Sequence, residues 1–223
     1  MINIFKKILE VRKFILMAEI KIKSPSEGAL GGMEEMEEIA KEYTDGGADM
    51  ISAVTEQTHF GGDLGMIDRI KRVSSLPILC KDFISDEREL VDVKEHGADA
   101  VLLLVMYVSK EKLVVLFDSA LKMGLVPIVE VDNEVDLNMA VREKFPVVAV
   151  NARNLRDLSV DRKKAISLIR KIPQKVIALA FSGVRDKEDV KNYLKAGAKG
   201  VLIGTVLMRA KDKVSMLKEL RGV

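Results

Sequence analysis

Leu179-Ala180-Phe181-Ser182-Gly183-Val184, followed by Gly200-Val201-Leu202-Ile203-Gly204-Thr205, decides the fold of this chain. Each stretch is a short apolar β run that ends in a small residue and a glycine, and a helical pattern follows each one. A glycine after a strand lets the backbone come close to a ligand, and the next helix start offers unpaired N–H groups to an anion. Two such turns in the last two βα units are where an eight-stranded β/α barrel commonly binds phosphate. Either turn alone also reads as a tight connection and nothing more.

The same rhythm extends back along the chain. Gly47-Ala48-Asp49-Met50, Gly97-Ala98-Asp99-Ala100 and Gly197-Ala198-Lys199-Gly200 each lead into an apolar run, and Gly124 precedes another. Pro77, Pro146 and Pro173 mark the entries where glycine is absent. A helix stop followed at once by a buried strand gives this pattern. Eight strands are predicted, over 14–20, 50–54, 77–81, 100–105, 125–131, 147–151, 176–181 and 200–203. Their Val, Ile and Leu content fits parallel strands covered on both faces. Helices are predicted between them, over 34–45, 63–74, 86–96, 109–123, 133–144, 161–171, 186–196 and 206–221. A short amphipathic helix over 2–13 precedes them, with Ile2, Phe5, Ile8 and Leu9 on one face. Eight strands alternating with eight helices favour a closed (β/α)₈ barrel, a TIM barrel, over an open doubly wound sheet. Without a linker or low-complexity stretch, residues 1–223 read as one barrel domain with a short N-terminal helix.

The 223 residues are 48% hydrophobic and 31% charged, as expected of a soluble globular chain. Thirty-six Lys and Arg face 34 Asp and Glu, so the net charge of +2 gives no global reason to bind nucleic acid or membrane. The lone Cys80 cannot form an internal disulfide, which fits a reducing, cytoplasmic setting. No apolar run reaches the roughly 18 residues of a membrane span, and residues 1–12 lack the apolar core of a signal peptide. Sparse Asn and Gln beside plentiful Lys and Glu lean toward a thermophilic source.

In such a barrel the chemistry gathers at the C-terminal ends of the strands. Those ends carry Glu19 and Lys21, Thr55 and Glu56, Lys81 and Asp82, Glu130, Asn151 and Arg153, and Ser182. Strand alternation puts Glu19 and Lys21 on one face, so an acid and a base point together into the mouth if that face is inward. Each residue alone also reads as a solvated strand end or a structural ion pair. His59 and His96 show no metal-ligand spacing. Cys80 should point away from Lys81 as a packed thiol. Met66, Met106 and Met123 read as core filler. The stretches 22–32 and 56–63 read as loops at the mouth.

These residues carry a likeness. Ala18-Glu19-Ile20-Lys21-Ile22-Lys23-Ser24-Pro25-Ser26-Glu27-Gly28 resembles the first-strand signature of the indole-3-glycerol phosphate synthase family. Thr55-Glu56 with Phe60-Gly61-Gly62-Asp63-Leu64 is similar to its second loop, and Pro77-Ile78-Leu79-Cys80-Lys81-Asp82-Phe83-Ile84 to its third strand. Pro127-Ile128-Val129-Glu130-Val131, Asn151-Ala152-Arg153-Asn154-Leu155, Ser182-Gly183-Val184 and Ile203-Gly204-Thr205 resemble its fifth to eighth strand ends. The serine-proline-serine and lysine-aspartate-phenylalanine elements are specific; the glycine turns are not.

The resemblance implies a (β/α)₈ lyase of tryptophan biosynthesis that needs no metal or organic cofactor. Its substrate would be 1-(2-carboxyphenylamino)-1-deoxyribulose 5-phosphate, closed to indole-3-glycerol phosphate with loss of carbon dioxide and water. Lys81 would be the general acid. Lys21 would contact the anionic substrate and share in later proton transfer, with Glu130 stabilising charge or acting in dehydration and Glu19 as acid/base or orienter. Asn151 and Arg153 would position the anthranilate part, with Phe83 also in contact with substrate. Ser24, Ser182, Gly183, Gly204 and Thr205 would hold the phosphate. The expected partner is a phosphorylated small molecule, with no nucleic acid and no membrane, and the expected assembly is a monomer or weak homodimer.

At the seventh strand the family pattern is alanine-glutamate-serine-glycine, where this chain has Ala180-Phe181-Ser182-Gly183. A ring replaces a carboxylate facing the mouth, so impaired turnover is expected, whether in a natural variant, an engineered one or an altered-function relative. The alternative reading is a weakly catalytic or non-catalytic phosphate-ligand-binding barrel with Phe181 filling the site. A third, another phosphosugar barrel enzyme such as a phosphoribosyl isomerase, is opposed by the lysine-aspartate-phenylalanine element.

Overall fold

In a computed structural model that describes residues 3–222, eight parallel strands close into a barrel. They are β1 (Ile15–Ile20), β2 (Met50–Val54), β3 (Ile78–Lys81), β4 (Ala100–Leu104), β5 (Val126–Val131), β6 (Val147–Asn151), β7 (Ile177–Phe181) and β8 (Gly200–Ile203). Each strand pairs with its sequence neighbours, and β1 closes the ring on β8, with Ala18 beside Ile203 and Ile20 beside Ala53 of β2. All eight strands stand within a residue or so of the sequence expectation, because buried β-branched runs bounded by helix stops leave little freedom of register.

Strand alternation sorts the apolar residues into two cores. One fills the space between strands and helices, with Leu16, Ala18, Ile51, Val101 and Val201 facing outward. The other fills the lumen, with Ile15, Met17, Met50, Leu79, Leu102, Ile128, Leu179 and Leu202. The lumen is closed from below by helix α1 (Ile4–Val11), whose Phe5 and Leu9 are buried in that second core. Asn3 caps α1 and donates from Nδ2 to the carbonyls of Asp99 and Gly124 at 2.8 and 2.9 Å, which ties the helix under β4 and β5. Ile2, expected on the same apolar face, lies outside the described residues. At the same end, Asp49 accepts from the Leu16 amide and pairs with Arg12 and Arg221 at 3.2 and 2.5 Å, so one carboxylate joins the first strand to the last helix.

The outer helices are α2 (Met36–Asp45), α3 (Gly65–Val73), α4 (Glu87–Glu95), α5 (Lys110–Lys122), α6 (Glu134–Arg142), α7 (Arg162–Ile169) and α8 (Lys187–Ala196), then α9 (Thr205–Arg209) and α10 (Lys213–Arg221). Helices α4 to α8 start on side-chain caps: Asp86 with Glu89 in a capping box, and Ser109, Asn133, Asp161 and Asp186 on single amides. The single helix predicted over 206–221 is two helices, because Asp212 caps a new start by accepting from the Ser215 amide. Met106, expected in the core, is exposed at the mouth after β4. The predicted loops hold more structure than expected. Lys23–Ser24 pairs with Gly28–Ala29 in a hairpin, and Gln57–Phe60 is a helical turn capped by Glu56. No helix among the described residues is long and apolar enough to cross a membrane.

Candidate active site

The polar residues begin where the apolar lumen ends. Glu19 lies on the inward face of β1 above Met17, and Lys21 continues that face two residues on. Lys21 Nζ pairs with Glu19 Oε1 at 2.9 Å and donates to Thr205 Oγ1 at 2.9 Å. Lys81, at the end of β3, approaches the other Glu19 oxygen at 3.6 Å. One buried carboxylate is therefore held between two ammonium groups. Burial alone would raise the Glu19 pKa, but the two lysines outweigh it and hold the carboxyl below its usual range.

Glu130 has the opposite environment. It ends the inward face of β5 above Ile128, and Asn151 Nδ2 of β6 donates to its Oε1 at 2.9 Å. Its Oε2 is buried without a hydrogen-bond partner among the described residues. Burial pushes its pKa up, and the attraction of Lys81 and the Asn151 bond only partly offset this. The pKa values of two carboxylates in one mouth are thus driven apart, one lowered and the other raised, the arrangement that separates acid and base roles.

The two glycine turns meet in a cavity of about 270 Å³ beside this cluster. Ser182, Gly183, Gly204 and Thr205 line it with Lys21 and Arg153. Ser182 has φ 66° and Gly183 φ 79°, so two successive residues are left-handed and only one is a glycine. Such a backbone costs a non-glycine residue about 1–3 kcal/mol and persists where its surroundings over-determine it. Here Tyr193 donates its hydroxyl to the Ser182 carbonyl at 3.2 Å, and burial pushes that phenol up to about 12. Gly204 has no room for a side chain, since a Cβ would collide with Glu19 and stand 3.1 Å from Lys21 Nζ.

On the other side of Lys81, Phe60, Phe83, Leu104, Tyr107 and Leu155 enclose apolar space, part of it an open cavity of about 360 Å³. Phe83 stacks on Tyr107 with centroids 5.1 Å apart, and Lys81 Nζ stands 5.8 Å from the centre of the Phe60 ring. Phe181 points inward and is 1% exposed, beside Leu179 and Leu202 in the upper lumen, with Phe83 and Leu155 packed on the same cluster. Cys80 is buried in the outer core and its thiol is pushed up to about 12 by burial, so it is no nucleophile.

Ser24, Asn151 and Arg153 each have surroundings that their sequence positions do not reveal. Ser24 does not line the phosphate-side cavity, and its hydroxyl is buried without a partner among the described residues. Asn151 is spent inside the wall, bonded to Glu130 and accepting from the Arg153 amide at 2.9 Å. Arg153 lines the phosphate-side cavity and donates to Ser26 Oγ at 3.1 Å and the Leu158 carbonyl at 2.8 Å, because the chain after β6 folds back through an Arg153–Val160 bridge. Sequence reading missed Arg162, Arg185 and Arg209 of the same cavity. Arg185 stands two residues past Gly183 and Arg209 one helical turn past Thr205, so offsets from the turns could have found those two. Among the described residues no group of three or more His, Cys, Asp or Glu could hold a metal ion.

The sequence model of the indole-3-glycerol phosphate synthase family matches residues 2–220. The curated indole-3-glycerol phosphate synthase of Streptomyces griseus is 38% identical over 205 residues, covering 92% of this chain and 76% of that protein. That of Sulfurisphaera tokodaii is 38% identical over 207 residues, covering 93% and 83%. Among solved structures, 3-hexulose-6-phosphate synthase from Salmonella typhimurium superposes with a TM-score of 0.74 at 17% identity, covering 92% of this chain and 96% of that one. Thiamine phosphate pyrophosphorylase from Pyrococcus furiosus gives 0.64 at 16%, covering 94% and 93%. At that identity the two structures speak for the barrel alone.

Proposed function

The chain belongs to the indole-3-glycerol phosphate synthase family, and from that membership we propose how its residues close 1-(2-carboxyphenylamino)-1-deoxyribulose 5-phosphate to indole-3-glycerol phosphate. The observation that carries the reading is Glu19 held by Lys21 at 2.9 Å and Lys81 at 3.6 Å, between a cavity edged by glycine turns and an apolar one. In this reading the phosphate lies against the backbone of Ser182–Gly183 and Gly204–Thr205. The aryl ring lies among Phe60, Phe83 and Leu155. The carbonyl of the sugar chain then spans the boundary where Lys81 stands.

Ring closure forms a bond between the aryl carbon that bears the carboxylate and the carbonyl carbon. Lys81 gives its proton to the carbonyl oxygen, which becomes a hydroxyl. Carbon dioxide leaves, and the electron pair of the broken bond restores the aromatic ring. Loss of the hydroxyl as water follows, with a proton delivered to it and one removed from the ring system. Glu130 suits the delivery because burial raises its pKa above the ordinary carboxylate value, toward that of a proton donor. Lys21, already bonded to Glu19 and Thr205, holds the anionic end and shares in proton return. Holding both ends turns the closure into a positioned, effectively intramolecular step.

The non-catalytic binder is disfavoured by this clustering, since binding a phosphate requires neither a lysine on the apolar side nor a second buried carboxylate beside it. The chain has no tryptophan, so indole fluorescence rises over a tyrosine-only background. Incubation with the carboxyphenylamino-deoxyribulose phosphate should give that rise together with released carbon dioxide. Saturable binding with neither product would overturn the assignment.

A further inference from the structure

Five cations line the cavity at the glycine turns: Lys21, Arg153, Arg162, Arg185 and Arg209. Most are already committed. Lys21 pairs with Glu19 at 2.9 Å, and Arg209 pairs with Glu27 at 2.6 Å. Arg185 grips Asp189 with two bonds of 2.8 and 3.1 Å. Arg153 is spent on Ser26 and the Leu158 carbonyl. Arg162 is different. Its nearest carboxylate is the same Asp189, at 3.7 Å, and its Nη1 reaches the Gly183 carbonyl only at 3.5 Å. A guanidinium offers five N–H donors in a fixed fork, and both of these Arg162 contacts are long.

Its position is as specific as its spare capacity. Arg162 is the first residue of α7, and Asp161 caps that helix, so its backbone is anchored. Its stem crosses directly over Gly183, where a Cβ would lie 2.9 Å from Arg162 Cγ. The missing side chain at 183 therefore does two things: it permits φ 79°, and it lets Arg162 lie across the turn. The side chain is 32% exposed, partly shielded yet open to the cavity. The lining residues carry five positive charges against Glu19 and Glu27; counting Asp189 as well, 5 − 3 leaves +2, the complement of a phosphate dianion.

We propose that Arg162 is a phosphate-binding residue, which turns from Asp189 and Gly183 to grip two oxygens of a phosphate monoester seated on the Ser182–Gly183 turn. This deepens the proposed function and rests on that placement of the phosphate. Charge-assisted, forked bonds of this kind exceed those of neutral donors. Because the phosphate does not react, the contribution is to binding in ground and transition states alike, so its loss should fall on KM rather than kcat.

The test uses the whole chain with inorganic phosphate, read by calorimetric titration, and with the carboxyphenylamino-deoxyribulose phosphate, read by turnover. Arg162→Ala should weaken phosphate binding about tenfold or more and raise KM by a similar factor. Arg162→Lys should recover part of both, since it keeps the charge and loses the fork. Phosphate binding by Arg162→Ala within twofold of the parent overturns the proposal. So does an Arg162→Met variant that binds phosphate as well as the parent, since the stem packed over Gly183 and not the guanidinium would then carry the effect. The phosphate titration needs no turnover, so a parent that binds phosphate but makes no indole product would sink the enzymatic reading and leave the Arg162 result standing.

Discussion

Gly204 faces Glu19 across the β8–β1 seam so closely that any side chain at 204 would occupy the space of the Glu19 carboxylate. The Glu19–Lys21 pair therefore exists because residue 204 has no Cβ. The requirement is steric: the space a Cβ at 204 needs is held by the Glu19 carboxylate.

Gly204→Ala is expected to push Glu19 off Lys21 and open the 2.9 Å contact. Overpacking of this kind costs about 1–3 kcal/mol, and turnover should drop at least about tenfold as Lys81 also loses its partner. Melting curves and steady-state kinetics measured together check this. A variant that melts and turns over like the parent would show that the strand seam yields and the pair is not held by residue 204.

Lys81→Met should remove most turnover while substrate affinity stays within a few-fold. General acid–base groups contribute about 10²–10⁴-fold, and Met keeps an unbranched apolar stem of similar length without the ammonium group. Single-turnover kinetics at saturating substrate would settle the point. Near-parental rates would assign the proton to another group, with Lys21 the first to examine.

Glu19 gives a stability–pH prediction with a definite sign. Its folded pKa is lowered, so its ionised form adds stability above the unfolded carboxylate pKa. That stability is lost as pH falls through the lower, folded value. The parent should therefore lose part of its melting temperature on acidification below the ordinary carboxylate range, and Glu19→Gln should show a shallower acid loss. Parallel acid limbs in the two proteins would contradict the assignment.

Phe181→Glu is expected to raise turnover at least about tenfold, worth roughly 1.4 kcal/mol in the transition state. A carboxylate there can hydrogen-bond substrate hydroxyls or orient the lysines, and a phenyl ring does neither. The same change should lower the melting temperature, because residue 181 is 1% exposed among Leu179 and Leu202 and an unpaired carboxylate there is costly. Unchanged or lower turnover would mean that the site has been rebuilt around the ring.

How much of this was legible without coordinates follows from the range of each signal. The strands and their order are written locally, as buried β-branched runs between helix stops, so all eight were readable from residues a few positions apart. Glu19 and Lys21 were readable as a pair for the same reason: alternation along one strand needs no knowledge of any other. The lumen plug was half visible, since the amphipathic face of Phe5 and Leu9 says that a helix is buried but not where. What only the tertiary structure decided depends on segments far apart in the chain. Lys81 meets Glu19 across 62 positions of sequence because β2 lies between their strands. Arg162 reaches Gly183 through the bridge of Arg153 to Val160 and the cap at Asp161, and no spacing rule foresees that loop. The opposite pKa directions of Glu19 and Glu130 were equally invisible in the sequence. Both are inward-facing strand-end carboxylates there, and they differ because barrel closure brings two lysines onto one and buries an oxygen of the other with no hydrogen-bond partner among the described residues.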